Sequence, residues 1–586
     1  MLTRQKLLPE AELPDMGEIV ARGRALARDW RVGKSAFLVE RKVASEVEYK
    51  QQQIAAGRIT QHANIGYRDL ERTCRAWAEV WEACEKHGAA IARYGVSLDW
   101  SMGLPRDQRA KGMKGTGLIL DGPEDFARLT SSAPVAPHFG DWALGFPAAI
   151  ENTCAALAAG STSIGNLSQY FTFRPPGWDD DVMMTERTLT AIALIAAQPE
   201  PVMVHSNLDD GFGGLFADVS STLGMAILER RIVNDLLGAR VAHCYGNHFG
   251  DPMRRLAFLF ALAEIDELPG TMVNGSTVSY RGGEGSNYAG LASYLTVDMV
   301  GQAVSPTGHA LNPVPATENV RIPDIEEIIE AQLFAGRLFE FKETYTQLID
   351  VAPAKALAAQ MVEGGRRFVA AVTTGLANAG IDTDNPFELL LALRRLGASR
   401  VEELFGAGTP DREKLRGRKP VVQSSLVEDL YAIADSRLAK VPKPLAERVR
   451  DERPSVMVAC TDVHEHGKIA LEAVLKRLGV EVLDGGVSVD ADDLAQAALA
   501  QNASAIMIST YNGIALDFYR SLRAALGKPI PILIGGRLNQ VPKGSNTSLP
   551  VDVTSELQAE GALVCREIED AVPHLVSRAP RDRPSA

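Results

Sequence analysis

Two textures of hydrophobic and polar positions alternate along this chain. Residues 16–95 place apolar side chains at helical spacing with polar faces and few breakers. From about 88 to 310, short apolar runs alternate with amphipathic stretches. Strands are expected at 161–165, 201–205, 240–244, 271–274 and 298–304. Helices are expected between them at 146–159, 186–197, 219–237 and 252–267. Regular strand–helix alternation implies parallel pairing, and over this length a (β/α)8 TIM barrel. Residues 323–405 read as helices again, including 325–340 and 353–379.

A second α/β pattern begins at Ser455. Strands at 456–459, 480–484, 505–509 and 530–534 alternate with helices, including 469–478 and 491–501. It reads as a flavodoxin-like, doubly wound sheet. The expected organisation is a helical extension (1–90), a barrel (91–415), a linker rich in Lys, Arg and Pro holding one helix (416–453), the second α/β domain (454–578) and a disordered tail (579–586).

Composition narrows the function classes. Hydrophobic residues at 46% and charged residues at 23% suit a soluble globular protein. The net charge of −13 argues against a nucleic-acid surface, which needs concentrated Lys and Arg. Six cysteines form no CxxC pair, as expected of free thiols in a reducing compartment. No apolar run follows the N-terminus and none is long enough to span a membrane, so the expected location is cytoplasmic.

Chemistry concentrates where expected strands end. Those runs stop at Ser163–Asn166, His205–Asn207, His243–His248, Asn274–Ser276 and Ser305–His309. Active sites of parallel barrels sit at the C-terminal ends of strands. Tyr170, His205, His243 and His309 are therefore candidates for contacts to substrate or cofactor. Arg106, Arg109, Arg174 and Arg281 are candidates to grip a carboxylate, because a guanidinium fork matches it bidentately. The alternatives are structural histidines and surface ion pairs. The cluster around His243 and His248 lacks an evident third ligand, which disfavours zinc.

The second α/β unit carries a more specific pattern. Asp462-x-His464-x-x-Gly467 follows its first strand, Ser509-Thr510-Tyr511 ends its third, and Gly535-Gly536 ends its fourth. Together these resemble the cobalamin-binding domain of B12-dependent mutases and methyltransferases. The resemblance implies that His464 ligates cobalt and that Asp462 takes the proton on the other ring nitrogen, as carboxylates commonly orient metal-bound histidines. It implies that Gly467 admits the displaced nucleotide tail, Ser509 bonds its benzimidazole, and Gly535 and Gly536 leave it room. Tyr511 departs from the usual leucine. The alternative is an ordinary doubly wound domain with a loop histidine.

Methyl-transferring corrinoid proteins place a long helical bundle directly before this domain, and the expected linker is too short for one. The loop also reads Glu465-His466-Gly467-Lys468-Ile469, unlike theirs. Both points favour an adenosylcobalamin-dependent carbon-skeleton mutase. The barrel resembles the large subunit of glutamate (methylaspartate) mutase over about 115–330, here fused to the small B12 subunit. The matching stretches are Ser161-Thr162-Ser163 with Tyr170, Cys244–Asn247, Arg281-Gly282-Gly283 and Thr307–Ala310 with Pro313–Thr317.

The departures concern substrate. Pro137-His138-Phe139-Gly140 stands where that family has an arginine, no glutamate lies near Gly165-Asn166, and no lysine–glutamate pair lies around Ser305–His309. The resemblance thus implies radical rearrangement of a small carboxylic acid that differs from glutamate at its amino end, in a homodimer. A corrinoid methyltransferase and a non-catalytic B12 sensor are the alternatives.

Overall fold

The computed structural model describes residues 2–112, 117–175, 178–265, 268–280, 282–319, 321–412, 414–461, 466–487, 489–511, 513–541 and 550–576. The chain forms two compact units, Met1–Val427 and Glu428–Ala586. Both are mixed α/β with parallel strands. No described helix is long and apolar enough to cross a membrane.

The first unit contains strands β1 (Gln61–Asn64), β2 (Ile91–Gly95), β3 (Ala136–His138), β4 (Ser163–Ile164), β5 (Met203–Asn207), β6 (Val241–Cys244), β7 (Met272–Val273) and β8 (Ala310–Leu311). β1 pairs with β2 and β2 with β3. A parallel bridge from Phe139 to Ile164 carries the order to β4. β4, β5 and β6 pair in turn. A second bridge, Tyr245 to Val273, reaches β7, which pairs with β8. β8 then pairs with β1, and every one of these pairings is parallel.

The expected strands at 161–165, 201–205, 240–244 and 271–274 coincide with β4 to β7. The one expected at 298–304 does not form. It ends the helix Glu284–Val304, whose buried Leu291, Leu295, Asp298, Met299 and Gln302 follow helical spacing. β1 lies inside the stretch expected to be helical. It carries no apolar alternation, because Gln61 and His62 are themselves buried. The helix Glu46–Ala55 runs into the N-terminal strand ends, where Glu46 lies 2.5 Å from Arg93 Nη1 and 3.0 Å from Lys50 Nζ. All three side chains are buried.

The second unit has β9 (Ser455–Cys460), β10 (Glu481–Val487), β11 (Ala505–Thr510), β12 (Ile532–Gly536) and β13 (Leu563–Cys565). They pair in parallel in the order β10-β9-β11-β12-β13. Side-chain alternation gives the sheet two apolar faces. Met457, Ala459, Ile506, Ile508 and Ile534 pack under the helices Ala491–Ala500 and Ala515–Leu526. Val456, Val458, Met507 and Leu533 pack on the other face, with the helix His466–Arg477. The stretch read as a linker instead forms two helices, Ser425–Leu438 and Lys443–Glu452. Ala434, Val441, Ala446 and Val449 are buried in that second core, so its Lys, Arg and Pro mark helix surfaces and ends.

Candidate functional site

In the second unit the strand order reverses between β9 and β11, and ligands of doubly wound sheets bind in such a crevice. The two strand ends are tied there. Thr461 N–H donates to Ser509 O at 3.0 Å, and Thr461 Oγ1 donates to Thr510 Oγ1 at 3.1 Å. Gly467 begins the next helix beside Ser509, and a β-carbon on it would lie 2.3 Å from Ser509 Oγ. Gly535 and Gly536 are paired with Ser509 and Thr510 across the ladder. Gly536 has φ +95°, and a β-carbon there would stand 2.3 Å from Thr510 O. Tyr511 stacks under the Arg537 guanidinium, 4.5 Å from its ring centre.

Gly467, Ser509, Tyr511, Gly535 and Gly536 therefore meet at one sheet edge. Asp462 and His464 lie outside the described residues. The buried Lys468 amine bonds Glu472 at 2.7 Å and Asp484 at 2.9 Å, and its pKa is raised. Burial opposes that rise and the two carboxylates outweigh it.

In the first unit, the C-terminal strand ends hold a cluster of carboxylates and amides. Asn166 Nδ2 donates to Asp210 Oδ2 at 2.8 Å. Gln169 Nε2 reaches Asp141 Oδ1 at 3.2 Å and Asp210 Oδ2 at 3.3 Å. Asp209 accepts the backbone N–H of Asn247 at 2.7 Å and of His248 at 3.3 Å. Asn274 Nδ2 contacts Asn207 Oδ1 at 3.4 Å and Cys244 Sγ at 3.7 Å. Burial raises Asp141 and Asp209 to about 6. Burial, then the charges of Asp141 and Asp209, raise Asp210 well above the usual carboxylate range. Arg255 braces the loops behind this cluster. It forms a fork with Asp298 at 2.6 and 2.7 Å and donates to Gly246 O and Asn274 O, each at 2.6 Å.

The residues singled out in sequence scatter around this rim. His205 is buried, 3.6 Å from Cys244 Sγ and edge-on to His138 with ring centres 4.1 Å apart. Burial and the nearby Arg93 charge hold it neutral. His243 is buried and bonds Glu229 at 3.0 Å. Tyr170 is buried, its hydroxyl 2.6 Å from Thr185 Oγ1 and its ring under Arg394. His309 precedes β8 and so stands at the N-terminal ends of the strands, away from the rim. A strand at 298–304 would put it at the other end, but those residues close the helix Glu284–Val304. Arg109 is buried on Leu120 O, Glu151 and Asn152. Arg106 and Arg174 are exposed, and Arg281 lies outside the described residues.

Asp141, Asp209 and Asp210 were not singled out. The doubled acid directly after β5, in Leu208-Asp209-Asp210-Gly211-Phe212, was the available signal. Among the described residues no His, Cys, Asp and Glu side chains group in threes to hold a metal ion. No protein-family model matches the sequence, and no curated protein matches it.

Proposed function

We propose that the protein is an adenosylcobalamin-dependent carbon-skeleton mutase. On this reading the eight strands of the first unit close a (β/α)8 barrel, and the second unit is a flavodoxin-like cobalamin-binding domain. The observation that carries the reading is the meeting of Gly467, Ser509 and Gly535-Gly536 at the β9/β11 reversal. Three sequence motifs, distant along the chain, converge on the crevice where such a fold takes a ligand. Gly467 and Gly536 put no side chain at this edge, and a β-carbon there would meet Ser509 Oγ or Thr510 O, so the close packing that shapes the crevice depends on both.

The residues have separable tasks. His464 would ligate cobalt through one ring nitrogen and Asp462 would hold the proton on the other. Ser509 would hydrogen-bond the benzimidazole. Bound adenosylcobalamin supplies a weak cobalt–carbon bond whose homolysis starts radical chemistry. The barrel's strand ends would hold a small carboxylic acid and keep water out while a group and a hydrogen exchange between adjacent carbons. Asp141 and Asp210, which share Gln169 Nε2 as a partner, suit the part of the substrate that donates hydrogen bonds or carries positive charge.

One observation keeps a corrinoid methyltransferase in play. Two helices, Ser425–Leu438 and Lys443–Glu452, fill the stretch expected to be a linker holding one. Their packing on the second unit's own core favours the mutase, since a cap must offer its apolar face to the cofactor.

Absorption and electron paramagnetic resonance decide between these readings. The protein with adenosylcobalamin should show the base-off spectrum and, with small carboxylic acids under anaerobic conditions, an organic radical signal. His464→Gly should abolish the base-off spectrum, and an unchanged spectrum overturns the ligand. Methyl transfer from methylcobalamin to a thiol, without a radical signal, selects the methyltransferase. Cofactor binding without turnover of any substrate selects a sensor.

A further inference from the structure

The loop that leaves β5 has different partners at its two ends. Near β5 it carries Asp209 and Asp210 of the rim cluster. At its far end Asp218 caps the helix Val219–Arg230, accepting the Ser220 N–H at 2.9 Å. Gly211, Gly213 and Gly214 lie between and give the backbone little preference of its own. Phe212 links the two ends by packing. Its ring centre is 5.4 Å from that of Phe216 on one side and 5.5 Å from that of Phe171 on the other. Phe171 shares its helix, Leu167–Thr172, with the Gln169 that holds Asp210.

A segment from much later in the chain fixes the far end. Residues 421–424 run antiparallel along 217–219. Val219 N–H donates to Val422 O and Ser424 N–H to Ala217 O, each at 2.9 Å. Asp218 takes the segment's own amides as well. Its Oδ2 accepts the Val421 N–H at 2.8 Å and its Oδ1 the Val422 N–H at 3.2 Å. Glu402, on the helix Pro386–Phe405, accepts the N–H groups of Ala217 and Asp218, each at 2.9 Å. Asp218, Glu402, Val422 and Ser424 are buried, so water cannot stand in for these bonds.

This strap is also the way out of the first unit. Its last hydrogen bond to the loop is at Ser424, the helix Ser425–Leu438 starts at the next residue, and the second unit starts at Glu428. That helix contains neither Gly nor Pro, so a pull along it reaches the strap instead of being lost in a kink. Upstream, Arg418 pins the same stretch by donating to Leu404 O at 2.7 Å and Gly408 O at 3.0 Å.

We propose that Asp218 and Glu402 form a latch that couples this strap to the carboxylates of the rim. With the latch shut, the β5 loop is held at both ends and Asp209 and Asp210 keep their places. When the strap is drawn away, the loop opens with it, and Asp209 releases the N–H groups of Asn247 and His248. The latch is built wholly from residues of the first unit and stands whether or not the mutase reading does.

Hydrogen exchange followed by mass spectrometry on the full chain tests it. In Asp218→Asn, a side-chain N–H donor replaces an acceptor facing the strap, and Glu402→Gln does the same facing the loop. Each variant should exchange at least about tenfold faster over 421–424, 211–219 and 247–248, with 455–460 in the second unit unchanged. Acceleration confined to 421–424 and 217–219 overturns the coupling to the rim. Acceleration nowhere overturns the latch. Acceleration across the whole first unit, or failure of both variants to fold, assigns the two carboxylates to the fold and overturns the device. The parent chain supplies an independent measurement. In urea below its unfolding transition, the amides of Val421, Val422, Asn247 and His248 should lose protection together and before those of β5 and β6. Separate loss overturns the coupling.

Discussion

Gly467 and Ser509 stand so close that a β-carbon on the glycine would lie 2.3 Å from the serine Oγ. A serine hydroxyl can rotate away at small cost, so the contact constrains the position of Ser509 more than the fold. Gly467→Ala should lower folding stability by only about 1 kcal/mol. Cobalamin affinity, followed by absorption titration, should fall at least about tenfold, because the displaced hydroxyl and the added methyl both intrude on the crevice. Full affinity in Gly467→Ala would sink the cofactor assignment for this edge. The double variant with Ser509→Ala should not recover it.

Gly536 faces a harder obstacle. Its φ of +95° and the 2.3 Å approach to Thr510 O involve backbone on both sides. Gly536→Ala should cost about 1–3 kcal/mol in chemical denaturation of the chain. A change below a few tenths of that would contradict the strand-end geometry.

The carboxylate cluster gives stability a pH dependence of known sign. Asp141 and Asp209 titrate near 6 in the folded chain and Asp210 higher, all above their unfolded values. Between about pH 4 and the folded values, the native state binds more protons than the unfolded one. Stability from this cluster is therefore present at low pH and is lost as pH rises through about 6. Asp210→Asn removes the most strongly raised group and can still accept from Asn166. Its melting temperature between pH 4 and 7 should fall less steeply than that of the parent chain. Parallel curves would show that Asp210 is not the proton-binding member.

Glu46 is the shared partner of two buried cations, Arg93 and Lys50. Glu46→Gln leaves both buried charges uncompensated. The expected loss is roughly 3–5 kcal/mol in urea unfolding, far more than any exposed ion pair supplies. A loss under about 1 kcal/mol would mean that the charges find other partners.

Parallel α/β alternation was readable because β5, β6, β9 and β11 are apolar cores between amphipathic helices. β1 was not, because Gln61 and His62 face a buried polar interior and imitate a surface segment. The helix end at 298–304 imitated a strand because Met299, Val300, Ala303 and Val304 make a short apolar run, and its true period appears only over three turns. The crevice motifs were legible because each sits at its own strand end. The acid cluster was not, since nothing in spacing links Asp141 to Asp210, and only the pairing of β3 through β5 brings their loops together.

Arg255 bears on how this rim can be altered. One guanidinium anchored on Asp298 holds the carbonyls of Gly246 and Asn274, which belong to the segments leaving β6 and β7. Those two segments are therefore one module with a single clasp. A graft that exchanges either alone would leave the other half open, whereas exchanging both together with the arginine and its aspartate transplants a self-contained section of the rim.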